Sequence, residues 1–229
     1  PTAFIFPSKV EKYVDSSTNI NRSGREQGIR RLMSINLLKR LESSVHSFRT
    51  TLQRIERLIN NTIEEISAFE AGGRATINTT EIEEMTDFDY DDQNSDVFAA
   101  GRKVKIDLAD MDYISWRNEL KKDSDTIALL ALLVADITPE HDLKLQKLIA
   151  LIEGKIEKPI NDSNKKVLVF SAFSDTAEYL YENVSKHFKK KHGLAAALIT
   201  GSVDGRTTIS NFRVSLNNVL TCFSPLSKD

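Results

Sequence analysis

Apolar residues recur along this chain with two different periods. From Ile29 onward, Leu38, Leu41, Val45, Phe48, Leu52, Ile55 and Ile59 are spaced alternately three and four residues apart. This predicts a long helix with an a/d seam, packed as one member of a helical pair or bundle. Gly72-Gly73 is the expected end of that helical region. Ile106–Lys121, Thr126–Ala135 and Thr138–Ile156 also read as helices. In the last of these, Thr138-Pro139 offers a cap followed by proline at the first helical position. Upstream, Pro1, Pro7 and the turn-rich Ser16–Gly24 predict an irregular entry linker to about Gly28.

Past a polar break at Pro159–Asn164 the pattern changes. Val167-Leu168-Val169-Phe170 is a short β-branched and aromatic run, as expected for a strand buried on both faces of a parallel sheet. Ser174 is the expected cap of a helix from Asp175 to about Lys191, with Leu194–Ile199 as a second strand and Thr200–Gly205 as a turn. Arg206–Leu216 is a further predicted helix. The fold class is therefore α/β but mostly α by content. A linker over 1–28 leads to a helical module over 29–158, with an acidic insert at about 74–104, and then to a parallel β-α-β-α unit over 159–229. Two strands leave unpaired edges, so the chain is expected to be a piece of a longer protein, and its exposed sheet edge and helical seam predict a homodimer or partial disorder in the C-terminal third.

Charge divides the chain differently. Residues 1–60 carry a balance of +6, residues 61–164 one of −12, and residues 165–229 one of +4. Basic ends around an acidic middle are compatible with a polyanion footprint or with internal charge pairing. Glu81–Asp96 holds eight carboxylates and no Lys or Arg and reads as a mobile insert. Asp87–Asp91 alternates acids but lacks the glycine of a calcium loop, so no metal site is expected there. The single cysteine, Cys222, excludes an internal disulfide and reads as a buried thiol in a reducing compartment. The longest strongly apolar run, Ile127–Ala135, has nine residues. A membrane-spanning helix needs about 20, so a cytoplasmic protein without membrane contact is expected.

Catalytic constellations are missing. The chain has no G-x-x-x-x-G-K-[ST] phosphate loop, no G-x-G-x-x-G, no G-x-S-x-G elbow and no H-x-x-x-H pair among its four histidines. No catalytic or metal-ligating residue is assigned. Two places fit the rule that α/β sheets bind ligands where strands end and helices begin: Ser171-Ala172-Phe173-Ser174 and Thr200-Gly201-Ser202.

Two stretches carry a family likeness. Leu37-Leu38-Lys39-Arg40-Leu41-Glu42-Ser43-Ser44-Val45-His46-Ser47-Phe48 resembles a helix of bacterial Swi/Snf-like superfamily 2 helicases and translocases. Lys166–Phe173 resembles the strand that opens their second RecA-like lobe, and Leu198-Ile199-Thr200-Gly201-Ser202 the next strand and turn. The likeness covers about 26–60 and 140–215 and leaves 61–135 unmatched. It implies a helical insertion followed by a partial RecA-like lobe. Ser171, Phe173, Thr200, Gly201 and Ser202 would then lie at the surface that meets a DNA or RNA backbone, with Arg206 adding a phosphate contact. The first RecA-like lobe, with its phosphate loop, would be a partner outside this chain. ATP and Mg2+ would belong to the full-length parent, and no cofactor or catalysis is expected in this part alone. The alternative expectation is a helical protein–protein interaction module with a non-catalytic α/β scaffold.

Overall fold

The computed structural model describes residues 2–13, 22–72, 76–78, 105–161, 163–201 and 205–224. It is mostly helical. The elements are α1 (Arg22–Ser43), α2 (Val45–Glu70), β1 (Thr76–Asn78), β2 (Lys105–Asp107), α3 (Tyr113–Leu133), α4 (Leu143–Glu157), α5 (Ser174–His192), β3 (Ala197–Leu198), β4 (Arg206–Thr207) and α6 (Leu216–Phe223). Contacts divide the chain into two compact units: Pro1–Lys39 with Phe48–Val134, and Arg40–Ser47 with Ala135–Asp229. The expected insert at about 74–104, including Glu81–Asp96 and Asp87–Asp91, lies outside the described residues apart from β1.

The heptad pattern does not build one helix. It breaks at Ser44, whose hydroxyl accepts from the Ser47 N–H at 3.0 Å and so caps α2. The seam also fails to act as a unit: Leu38 is 61% exposed, whereas Leu52 is fully buried. A single serine with cap geometry overrides the periodicity, because it supplies the acceptor that the first turn of the next helix lacks.

In the first unit Ile5, Ile66, Ile106, Leu108, Met111 and Trp116 form the core. Residues 2–13 of the expected N-terminal linker pack against it. Thr2–Phe4 and Pro7–Tyr13 are 3-10 turns, and Ile5 forms an antiparallel bridge with Met111. Asp110, itself buried, holds this segment through Tyr13 Oη at 2.6 Å and Lys12 Nζ at 2.7 Å. The Lys12 and then the Tyr13 hydrogen bond lower the Asp110 pKa to about 2. Apolar Phe4, Ile5, Val10 and Tyr13 explain why a proline-punctuated stretch packs instead of linking. β1 and β2 pair antiparallel, with Ile77 opposite Ile106, so Ile106 lies in a strand rather than in the predicted helix. The two helices predicted over 106–135 are one continuous α3, capped by Asp112 through the Ser115 N–H at 3.1 Å. Asp123-Ser124-Asp125 interrupts the apolar pattern without interrupting the helix, since neither glycine nor proline is present.

In the second unit Ile152 and Ile156 of α4 pack on Phe188 of α5, with Val167, Val184 and Leu194 around them. The expected start of α4 at Thr138-Pro139 is replaced by a turn in which Thr138 O accepts from the N–H groups of His141 and Asp142. The cap is Asp142, whose Oδ1 accepts from the Lys144 and Leu145 N–H groups at 3.0 Å each. α5 ends at Gly193, where φ of 66° is a left-handed conformation that glycine adopts without a Cβ clash.

The expected parallel sheet is not formed among the described residues. Val167–Phe170 has no ladder partner, and Phe170 is 86% exposed. β3 is shorter than the predicted strand and pairs antiparallel with β4, Ala197 opposite Thr207 and Leu198 opposite Arg206. The helix predicted over Arg206–Leu216 is therefore a strand at its start, and α6 begins only at Leu216, capped by Ser215. Gly205 enables this hairpin to fold back: a Cβ there would lie 2.5 Å from Val214 Cγ1. Cys222 is exposed rather than buried.

Candidate nucleic-acid interface

The turn that enters α5 is built by its own residues. Ser171 Oγ accepts from the Phe173 N–H at 3.2 Å and donates to Phe173 O at 3.0 Å. Phe173, buried, is the N-cap residue in place of the expected Ser174, and its apolar side chain gives the helix no acceptor. Ser174 is the first helical residue and Asp175 the acid of the first turn, where a negative charge suits the helix dipole.

A polar network holds this helix start. Arg40, 3% exposed, donates from Nη1 to Asp175 Oδ2 at 2.9 Å and to Ser47 Oγ at 3.1 Å. Its guanidinium lies over the Phe173 ring, 4.8 Å from the centroid. Ser43 and Ser44 hydroxyls pair with Thr176 Oγ1 at 2.8 and 3.0 Å. One turn further on, Tyr179 donates to Asp142 Oδ2 at 3.0 Å and stacks with the His46 ring at 4.7 Å. Lys144 donates to the carbonyls of Glu42 and Ser43, among the last of α1, where a helix leaves acceptors unpaired. Arg40, Asp142, Asp175, Thr176 and Tyr179 were not singled out by sequence reasoning. Arg40 stood only within the stretch that bears the family likeness, because a charged residue beside Leu41 reads as solvent-facing in any periodic pattern.

The second place is the β3–β4 hairpin. Thr200 is half-buried and Gly201 exposed, and Ser202 lies outside the described residues. The register sets Arg206 opposite Leu198, so Arg206 shares one hairpin with Thr200 and Gly201. Its guanidinium sits 5.1 Å from the Tyr181 ring centroid and 3.3 Å from Glu182 Oε1, both on α5. Burial raises the Tyr181 pKa, and the Arg206 charge opposes that shift. Ser171 and Phe173 thus lie at the start of α5, while Arg206 reaches Tyr181 and Glu182 near its middle.

The chemistry available is hydrogen bonding and positive charge toward an anion. Among the described residues no cluster of His, Cys, Asp and Glu has the composition to hold a metal ion, and no helix is long and apolar enough to cross a membrane. Compared with known proteins, the chain matches no family model, no curated protein and no solved structure.

Proposed function

We propose that this chain is part of the second RecA-like lobe of an ATP-driven DNA or RNA translocase, and that it contributes contacts to the nucleic-acid backbone. One observation carries the reading. The first likeness-bearing stretch meets Phe173, the end of the second, and the helix start that follows it through a buried polar network, Ser44 and Thr176 being 132 residues apart in sequence. Val167–Phe170, without a ladder partner among the described residues, is the segment on which the remaining strands of such a lobe would pair. In this reading the other lobe supplies the phosphate loop, ATP and Mg2+ act in the parent enzyme, and the protein works in the cytoplasm. The chain itself carries no phosphate loop and is expected to turn over no ATP. Release of labelled phosphate by nuclease-free protein measures this.

Phosphate-backbone binding releases counterions, so affinity for a single-stranded oligonucleotide should fall steeply with salt and depend little on sequence. Thr200→Ala and Arg206→Ala should weaken it, and Arg206→Ala should also make the salt slope shallower by about one. Salt-independent binding, or none, ends the reading.

The second reading is a helical interaction module. The 61% exposure of Leu38 and 40% exposure of Leu41 favour it. Partner binding that ignores salt and is abolished by Leu41→Asp selects it. Self-association belongs to either reading, since Val167–Phe170 offers an unpaired segment, and light scattering that gives a monomer at high concentration removes it.

A further inference from the structure

Arg40 is a buried charge that backbone binding does not by itself require. Two of its contacts fall on the start of α5, the Phe173 ring at the N-cap and the Asp175 carboxylate in the first turn, and another is to the Ser47 hydroxyl of α2. The cap residue supplies no side-chain acceptor, and the Ser171 hydroxyl bonds the Phe173 backbone within the same turn rather than a later turn of α5. Orientation of Ser171–Phe173 is therefore set from outside that turn, by Arg40 and by the Ser43 and Ser44 hydroxyls on Thr176. A buried ion pair adds little net stability compared with apolar packing, yet losing one partner is costly, and in some proteins such pairs serve to fix one geometry.

We propose that Arg40 is a positioning residue for the Ser171–Phe173 turn, holding it in the arrangement in which it meets a nucleic-acid phosphate. The proposal rests on the functional reading above and names what fixes that surface. Arg40 acts through Phe173 and Asp175.

Charge and position predict opposite signs at Asp175. Removing its carboxylate leaves the helix start more positive, which on charge alone tightens binding to a polyanion. Loss of positioning loosens it. The test is anisotropy of a labelled single-stranded oligonucleotide with the whole chain, comparing wild type, Asp175→Asn, Arg40→Met, Arg40→Lys and the Asp175→Asn/Arg40→Met double variant. Hydrogen exchange over residues 171–176 is measured on the same samples. Asp175→Asn and Arg40→Met should each weaken binding about fivefold, with the double variant no weaker than either, as expected for one coupled pair. Arg40→Lys, which keeps the charge beside Asp175, should return most of the affinity, and exchange should accelerate in each weakened variant. Should Arg40→Met fail to fold, the isosteric Asp175→Asn and the conservative Arg40→Lys carry the test. Tighter or unchanged binding by Asp175→Asn overturns the proposal while leaving the functional reading intact. A wild-type chain that binds no oligonucleotide ends both.

Discussion

Single side chains settle several conflicts between pattern and packing. Glu153 of α4 accepts from Lys191 Nζ at 2.5 Å and lies 2.7 Å from His187 Nε2, both on α5. The Lys191 and then the His187 hydrogen bond lower its pKa from 4.5 to about 2. A carboxylate with a depressed folded-state pKa stabilises the fold above its unfolded value and loses that contribution as pH falls through the folded one. Denaturant midpoints should therefore drop between pH 4.5 and about 2, and Glu153→Gln should flatten that slope. Unchanged acid sensitivity in the variant would show that another group governs it. Gly193 presents a simpler case. With φ at 66°, Gly193→Ala should lower stability by about 1 kcal/mol through Cβ strain alone, read as a shifted urea midpoint with unchanged slope. The Glu153–His187 pair carries no sequence signal strong enough to rank it, since the two residues are 34 positions apart.

At the level of elements, caps decided what periodicity left open. Thr138-Pro139 has the composition of a helix start, yet Asp142 begins α4 because one carboxylate satisfies the Lys144 and Leu145 N–H groups while also accepting from Tyr179. Asp142→Ala removes all three bonds and leaves the buried Tyr179 hydroxyl short of that partner. It should cost about 2 kcal/mol or more, whereas Thr138→Ala should stay within about 0.5 kcal/mol. Equal losses from the two variants would restore the earlier boundary. Ser44 makes the same point for α1 and α2. The heptad spacing was legible and the cap serine was visible, but only the structure shows which of the two prevailed. The β3–β4 hairpin was missed for a related reason: two-residue strands carry no period, and the signal that mattered was a glycine whose Cβ would clash with Val214.

Across the whole molecule, the second unit is assembled from segments far apart in sequence, Arg40–Ser47 and Ala135–Asp229. A 135–229 piece lacks Arg40, Ser43, Ser44 and Ser47 and leaves Asp175 and Thr176 without those partners. It should show faster hydrogen exchange at the start of α5 than the whole chain, and equal protection would mean that the network is dispensable. The same assembly explains why the candidate interface was half legible. Ser171, Phe173, Thr200, Gly201, Ser202 and Arg206 were named because the family likeness implies them at that surface, where hydroxyls and a glycine follow the predicted strands. The residues that hold them could not be, because burial of Arg40 depends on a chain segment more than a hundred positions away.

Local chemistry along the chain determined the mostly helical content, the glycine end of α2 and the presence of α4 and α5, because apolar spacing and backbone preference act over a few residues. Tertiary structure decided where α1 yields to α2, that the N-terminal residues join a core, that β3 pairs antiparallel, and which charges are buried. Those outcomes depend on which distant groups supply the missing hydrogen-bond partners and apolar contacts, and that is a property of the packed chain rather than of any stretch within it.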